Sequence, residues 1–301
     1  MLNIKPYILS FRLQTLPLAV STVLMGNIIA AYHNSYHSYV GIFAVITTIF
    51  LQILSNVAND YGDAISGADN EERVGPERMV ASGKISRKAM RNTVVVFVSL
   101  SLLSGIILIY FGNFRAVSIK SIGLFILGIG AIAAAIKYTV GKNPYGYRGL
   151  GDIFVFIFFG LVGVLGTYFL HTGTIHLWVV LPASAMGFLS VGVLNLNNLR
   201  DVETDAKTGK NTLVVKNGSK WGKKYHVFLH LGALFSLLIF GIYNFTEWYQ
   251  WIFILVFILL LKDLIFVYKN NDPMLLYPYL KKLAISTFLL VLFLGLPLLL
   301  L

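Results

Sequence analysis

A chain of 301 residues that is 57% hydrophobic and only 12% charged, with a mean hydropathy of +0.76, is too apolar for a soluble domain, because soluble domains carry about 25% charged residues. The absence of cysteine excludes disulfides and thiolate metal sites. A formal net charge of +11 would suit nucleic acid, but in a membrane protein it reflects loops that face anionic lipid. The composition therefore predicts an integral membrane protein in a lipid bilayer, with no nucleic acid as a partner.

Nine apolar stretches follow one another along the chain, each long enough to cross a bilayer as a helix of about 20 residues. They lie at residues 14–32, 39–59, 93–112, 119–139, 153–171, 176–198, 226–244, 249–268 and 280–300. The polar segments between them are too short to bury a core of their own. The sequence predicts a single all-α domain over residues 1–301, a bundle of nine transmembrane helices.

Lysine and arginine are distributed unevenly between the two sides of such a bundle. If the N-terminus lies inside, the inner segments hold 22 of the 24 Lys and Arg residues, and the outer segments hold only Arg115 and Lys120. Cytoplasmic loops carry this excess of positive charge. We therefore expect the N-terminus in the cytoplasm and the C-terminus outside. Twelve of the 13 acidic residues also fall inside, and the positive-inside rule does not explain them.

Three side chains that carry oxygen share one face at the inner end of the second helix. Asn56, Asp60 and Asp63 are spaced i, i+4 and i+7, which places them within about 60° of one another. Their mutual repulsion near a membrane calls for a positive partner, and oxygen ligands of this kind suit Mg²⁺ bridged to a phosphate. Asp69 lies beyond a glycine, and we expect it to hold a loop or a water instead.

A second acidic cluster follows at the end of the sixth helix, where Asn197, Asp201 and Asp205 are spaced i, i+4 and i+8. Four helices separate it from the first, so both clusters lie on the same side of the membrane. Isolated aspartates at helix ends would merely face water, but that alternative does not predict two clusters with matched Asn–Asp spacing. We expect the clusters to face one cavity and to hold two or more Mg²⁺ ions around a diphosphate, with Asp60 and Asp201 as the catalytic pair.

Basic residues follow both clusters. Each of them could simply be one of the positive charges that orient a protein in the membrane. Arg73, Arg78 and Lys142 lie close to the aspartates or in loops rich in glycine and proline. Arginine contacts phosphate through two parallel hydrogen bonds, and lysine supplies a point charge. We therefore expect these three to contact a diphosphate.

Aromatic residues lie near the same loops. If the diphosphate leaves an allylic lipid, metal ions draw off its charge, while aromatic faces stabilise the allyl cation and exclude water. Tyr138 and Tyr145 are candidates for such a wall, together with the run FVFIFFG at 154–160. Phenylalanine runs are also common on surfaces that face lipid, so this run alone does not identify a pocket.

The two acidic segments, NDYGDAISGAD and NNLRDVETDAKTGKNTLVV, resemble the two Asp-rich signatures of the UbiA-type intramembrane aromatic prenyltransferases. The resemblance covers essentially the whole chain, including the nine helices. The passages YTVGKNPYGYRGLGDIFVFIFFG and FRLQTLPLAVSTVLMGN further resemble the branch that prenylates 1,4-dihydroxy-2-naphthoate in menaquinone synthesis. That branch acts in the bacterial cytoplasmic membrane, so the resemblance implies a multi-pass protein whose active site opens toward the cytoplasm.

The resemblance implies a mechanism. Mg²⁺ ions are held by the aspartates with Asn56 assisting, polyprenyl diphosphate ionises, the aromatic ring attacks the allyl cation, and the ring carboxylate leaves as carbon dioxide to give demethylmenaquinone. The diphosphate-binding role falls on the matching positions Arg73, Arg78, Tyr138 and Lys142.

Two features of the sequence leave roles open. Arg200 and Lys210 neutralise part of the second cluster, so direct contact of Asp205 with metal is undecided. Candidates for handling the proton or the carboxylate of the acceptor are Asp152, Arg148 and Lys210.

Two other functions are compatible with the pattern. A prenyltransferase of the same superfamily that acts on 4-hydroxybenzoate, haem or chlorophyllide would share the aspartate clusters and differ around Tyr138–Asp152. A secondary transporter would also carry acidic residues in a membrane bundle, but near the bilayer midplane at broken helices. The acidic residues here lie at inner helix ends beside basic loops.

Overall fold

The computed structural model describes residues 4–67, 77–112 and 117–300. Over these ranges the chain is all-helical, without a strand, and contains nine helices that are long and apolar enough to cross a membrane. They are α1 (Lys5–Tyr32), α2 (Ser38–Ser66), α3 (Arg87–Phe111), α4 (Ile119–Lys137), α5 (Gly151–Thr172), α6 (Leu177–Arg200), α7 (Ser219–Asn244), α8 (Trp248–Lys269) and α9 (Pro273–Leu298). The prediction of an all-α bundle with nine spans is confirmed.

Helix ends differ from the predicted ends where polar residues continue a helix. The first helix begins nine residues earlier than predicted, at Lys5, and bends at Arg12, whose φ is +50°. The second helix runs seven residues further, to Ser66, and ends at Gly67, whose φ of +76° is typical of a helix C-cap. All three residues of the first acidic cluster therefore lie inside a continuous helix. The prediction ended the helix where the apolar residues end, but backbone hydrogen bonding continues it through the polar residues to Ser66.

Buried apolar side chains of the described residues form two large hydrophobic cores and a small third cluster where α1, α2, α3 and α5 meet. The larger core packs α1 and α5–α9 together through side chains such as Ile29, Met186 and Leu290. The smaller core packs α2 and α3 together through Leu54 and Phe97, with α4 lying against it. A large cavity lies between the two groups, and the helices that border it carry both acidic clusters at one end.

The middle of α5 is a π-helix from Phe156 to Gly166, which widens the helix by about one residue per turn. Glycine lets this segment approach its neighbours closely. A Cβ atom on Gly160 would lie 2.7 Å from both the Ala183 carbonyl oxygen and the Gly187 Cα of α6. The π-helical segment is thus held against α6 while other side chains of α5 line the cavity.

We expect Gly160→Ala to lower the free energy of unfolding by roughly 1–3 kcal/mol, because its methyl group meets backbone atoms that cannot rotate away. Gly123→Ala in α4 is the matched control, since nothing lies within 4 Å of its Cβ position. Thermal unfolding of both variants in one detergent measures the difference. Equal stability of the two variants would show that the contact between α5 and α6 is not tight.

The absence of cysteine permits a direct test of the proposed orientation. Ala81 and Ser38 are both exposed, and they lie at opposite ends of the bundle. With the N-terminus in the cytoplasm, a thiol reagent that cannot cross the membrane labels Ser38→Cys in intact cells, but labels Ala81→Cys only after lysis. The reverse labelling pattern would overturn the orientation.

Candidate active site

A cavity of about 920 Å³ lies inside the bundle, bordered by α1–α6 and α9. This volume is at the upper end of the range for small-molecule sites. One end is polar and lies among the C-terminal ends of α2 and α6. The remainder is apolar and extends toward the opposite helix ends, past Ile109, Leu124 and Leu170. The shape suits an amphipathic ligand with an anionic head and an apolar tail.

The first acidic cluster reaches the cavity through Asn56 and Asp63. One carboxylate oxygen of Asp63, Oδ2, accepts a hydrogen bond from Arg78 Nη2 at 2.8 Å, and Oδ1 accepts one from the Tyr147 hydroxyl at 2.8 Å. The amide nitrogen of Asn56 donates to the Phe11 carbonyl oxygen and to another acceptor in α1. These bonds fix the side chain of Asn56, whose Oδ1 atom accepts only a long hydrogen bond, 3.5 Å from Gln52 Nε2, and is the atom able to coordinate a cation.

Asp60 differs from the prediction, because its side chain does not line the cavity. It is 1% exposed, and its carboxylate accepts hydrogen bonds from the backbone N–H groups of Met79 at 3.0 Å and Val80 at 3.1 Å. The carboxylate thus holds the turn that carries Arg78. The cavity is lined instead by Asn59, one residue earlier on the helix.

Asn59 had not been singled out, although its spacing of i, i+4 with Asp63 was visible in the sequence. Its side-chain oxygen accepts a hydrogen bond from Thr139 Oγ1 at 3.1 Å. The cavity face of α2 is therefore Asn56, Asn59 and Asp63.

The second cluster lines the same cavity, as the matched spacing predicts. Arg200 donates to both carboxylate oxygens of Asp201, from Nε and Nη2, at 2.6 Å each. Its Nη2 atom also donates to Asn197 Oδ1 at 2.7 Å, and the guanidinium group lies 5.7 Å from the ring centre of Tyr277. Asp201 caps α6 at the residue where the chain turns into a short helix, Val202–Lys207.

Asp205 lies in that short helix and forms an ion pair with Lys210, whose Nζ atom donates to Asp205 Oδ1 at 3.2 Å. Its other oxygen, Oδ2, is buried without a hydrogen-bond partner. Burial raises the pKa of Asp205 to about 6, opposed by the charge of Lys210 and assisted by those of Asp201 and Asp63. Burial lowers the pKa of Lys210, but the three carboxylates outweigh it and raise the pKa above its ordinary value. The two clusters therefore share one electrostatic field.

The oxygen atoms of the two clusters are of the kind that a hard divalent cation prefers as ligands. They include several carboxylate and amide oxygens and one buried oxygen without a hydrogen-bond partner. Over the described ranges, however, no three His, Cys, Asp or Glu side chains are already arranged around a metal position. Arg78, Arg200 and Lys210 occupy the carboxylates instead. An anionic phosphate group would give these cations another partner and leave more carboxylate oxygens for a metal ion.

An aromatic wall adjoins the polar end. The ring centres of Tyr138 and Tyr145 lie 5.4 Å apart, Tyr145 stacks on Phe154 at 4.0 Å, and Phe154 lies 6.2 Å from Phe158. All four line the cavity, so the run at 154–160 contributes to it as the sequence suggested. Burial, with the nearby carboxylates, raises the pKa of Tyr138, which therefore stays a hydrogen-bond donor.

The candidate residues between α4 and α5 differ in whether they reach the cavity. Lys142 and Arg148 are exposed and do not line the cavity, although they were candidates for ligand contact. Asp152 is buried at the start of α5, also outside the cavity lining, with its Oδ1 atom unbonded. Tyr147, which had not been singled out, is the loop residue that bonds an acidic cluster, through Asp63. The candidates Asp69 and Arg73 lie outside the described residues.

Comparisons with known proteins agree with this geometry. The model of the UbiA prenyltransferase family matches residues 19–275. The 1,4-dihydroxy-2-naphthoate octaprenyltransferase of Haemophilus influenzae is 43% identical over 96% of this chain and 94% of its own length. The enzyme of the same name from Escherichia coli is 41% identical over 91% of this chain and 88% of its own length.

The solved structure of a UbiA homolog from Archaeoglobus fulgidus, bound to DMAPP and Mg²⁺, has the same fold. It matches with a TM-score of 0.59 at 16% identity and covers 95% of this chain and 98% of that chain. Because the family model spans most of the sequence and two relatives exceed 40% identity over nearly all of it, the chain belongs to the UbiA prenyltransferase family.

Proposed function

We propose that this protein transfers a polyprenyl group from polyprenyl diphosphate to 1,4-dihydroxy-2-naphthoate, with release of diphosphate and loss of the ring carboxylate as carbon dioxide. The direct product keeps both hydroxyl groups and is therefore demethylmenaquinol, the reduced form of demethylmenaquinone. The observation that carries this proposal is the pairing of two acidic clusters at the polar end of one otherwise apolar cavity. The names of the relatives at 43% and 41% identity support the choice of the naphthoate acceptor. We place the enzyme in the bacterial cytoplasmic membrane, with the polar end of the cavity open toward the cytoplasm.

The diphosphate binds at the polar end, where three cations are already collected. Arg78, Arg200 and Lys210 each form an ion pair with a carboxylate, and each can exchange it for a phosphate oxygen. Arg200 is suited to two parallel bonds, and Lys210 supplies a point charge. Tyr138 adds a neutral donor at the same end of the cavity.

The carboxylates released by that exchange are those that would hold Mg²⁺. We assign this role to Asp63, Asp201 and Asp205, with the amide oxygens of Asn56 and Asn59 beside them. Bound Mg²⁺ would neutralise the charge that develops on the diphosphate as the carbon–oxygen bond breaks. Support for this metal comes from the Archaeoglobus fulgidus homolog, which is described as bound to DMAPP and Mg²⁺. Asp60 positions Arg78 through the turn that it holds.

The apolar part of the cavity holds the prenyl chain and keeps water from its reacting end. Rings of Tyr138, Tyr145, Phe154 and Phe158 line the wall beside the polar end, where their faces can stabilise an allyl cation. The carbon–oxygen bond of the diphosphate breaks, and the prenyl carbon bonds to the acceptor ring. The bond to the carboxylate then breaks, carbon dioxide leaves, and the bonding electrons stay in the ring.

Product mass tests the acceptor. Purified protein with 1,4-dihydroxy-2-naphthoate, a defined prenyl diphosphate and Mg²⁺ should give the prenylated product lacking the carboxylate. A product that retains its carboxylate would contradict the proposal. Parallel reactions with 4-hydroxybenzoate and with chlorophyllide measure whether a different acceptor is preferred.

Asp201→Ala should reduce turnover by at least a hundredfold, because it removes a proposed metal ligand and leaves the buried Arg200 without its carboxylate. Turnover with saturating substrates and Mg²⁺ measures the loss. Asp263→Ala is a suitable control, because Asp263 lies outside the cavity and contacts Lys282 near the surface. Activity of Asp201→Ala close to that of the control would overturn the proposed site.

Asp60→Asn and Asp205→Asn should lose activity for different reasons. An asparagine at 60 can accept only one of the two backbone N–H bonds, so we expect both turnover and the unfolding temperature to fall, with a stability loss of about 1.5–3 kcal/mol. Asparagine at 205 removes a poorly solvated charge, so turnover should fall while the unfolding temperature holds or rises. A stable but inactive Asp60→Asn variant would instead indicate that Asp60 binds metal.

A further inference from the structure

The cationic side chains that line the cavity are not equivalent. Among the described residues they are Arg12, Arg78, Arg200, Lys210 and Lys281. Arg78, Arg200 and Lys210 each form an ion pair with a cluster aspartate, at 2.6–3.2 Å. Lys281 has no acidic side chain of the described residues within ion-pair distance. It therefore brings a positive charge to the cavity that the acidic clusters do not neutralise.

Lys281 belongs to the cavity face of α9. Tyr277, Lys281 and Ala284 are spaced i, i+4 and i+7, and all three line the cavity. The ring of Tyr277 lies beneath the guanidinium group of Arg200, at 5.7 Å. One helical turn therefore separates Lys281 from an aromatic surface that borders the second acidic cluster. A flat aromatic molecule against that surface would have its substituents within reach of the lysine.

Of the two neighbouring lysines on α9, Lys281 lines the cavity and Lys282 does not. Lys282 lies about 100° further around α9, with its Nζ atom 3.6 Å from Asp263 and 4.3 Å from the ring centre of Tyr279. It does not line the cavity. A general preference for positive charge at the inner membrane surface would account for both lysines, but not for the placement of one of them inside the cavity wall.

We propose that Lys281 binds the carboxylate of the aromatic acceptor, and so selects acceptors that carry one. This inference rests on the proposed function, since it names the residue that recognises the second substrate of that site. The diphosphate and its metal ions use the three cations that form ion pairs with the cluster aspartates, whereas the acceptor uses Lys281, on a different helix. Lys281 is exposed at the inner end of α9, so the carboxylate stays at the wet end of the cavity while the ring reaches inward.

The role of Lys281 is in binding the acceptor and not in breaking the carbon–oxygen bond. An ion pair with the carboxylate stabilises the bound acceptor before reaction, and carbon dioxide carries no charge for the lysine to hold afterwards. Loss of Lys281 should therefore raise the KM for the acceptor and leave kcat nearly unchanged. The KM for prenyl diphosphate should not change, because that substrate is held by other cations.

The test compares Lys281→Gln, Lys281→Arg and Lys282→Gln in the full-length protein. Binding of 1-hydroxy-2-naphthoate, followed by its own fluorescence, reports on carboxylate recognition without turnover, and 1-naphthol is the matched probe that lacks the carboxylate. We expect Lys281→Gln to weaken binding of the naphthoate roughly tenfold, the size of one hydrogen bond to a charged group, and to leave 1-naphthol unchanged. Lys281→Arg should retain most of the affinity, and Lys282→Gln should match wild type.

Steady-state kinetics with 1,4-dihydroxy-2-naphthoate complete the test. A rise in acceptor KM in Lys281→Gln alone supports the inference. Unchanged naphthoate binding, or an equal loss for 1-naphthol, would overturn it, because either result removes the link between Lys281 and the carboxylate. If wild-type protein binds the naphthoate through Lys281 but does not prenylate dihydroxynaphthoate, the proposed function fails while the assignment of Lys281 as a carboxylate-binding residue stands.

Discussion

Neutralisation of buried acidic charge is the constraint on which the rest of this structure depends. Asp63, Asp201 and Asp205 lie at the edge of an apolar bundle, where an unpaired carboxylate would be costly. Each is held by a cation, from Arg78, Arg200 and Lys210. The acidic clusters are thus stabilised by the same cations that we propose for binding the diphosphate. The diphosphate and the metal ion that we propose for this site carry opposite charges, so together they would replace these internal pairs without leaving a net charge buried.

The geometry of the second helix determines which of its polar side chains face the cavity. The second helix presents oxygen atoms to the cavity from Asn56, Asn59 and Asp63, while Asp60 faces the turn that follows. That carboxylate bonds two backbone amides, and the turn brings Arg78 back to Asp63. Two neighbouring acidic residues therefore have different tasks: one shapes the site, and the other lines it. The cost of removing either is expected to appear in different measurements.

Much of this arrangement could be predicted from the sequence, and the remainder depended on contacts between distant segments. Apolar runs of membrane length predict nine helices, and matched Asn–Asp spacing at two inner helix ends predicts that they face one cavity. Spacing alone could not separate Asn59 from Asp60, because each of them is three or four residues from both Asn56 and Asp63 and could share a helix face with them. The separation comes from the amides of Met79 and Val80, about 20 residues away. Equally, no local pattern distinguishes Tyr147, which bonds Asp63, from the exposed Lys142 in the same loop.

Three tyrosines of the segment between α4 and α5 contact different parts of the site. Tyr138 lines the polar end, the Tyr145 hydroxyl donates to the Ala134 carbonyl oxygen while its ring stacks on Phe154, and Tyr147 holds Asp63. A displacement of the loop would therefore open the aromatic wall and loosen an acidic cluster in one movement. The geometry of the aromatic wall and that of the first acidic cluster are therefore coupled through a single loop, and a substitution that shifts the loop would change both at once.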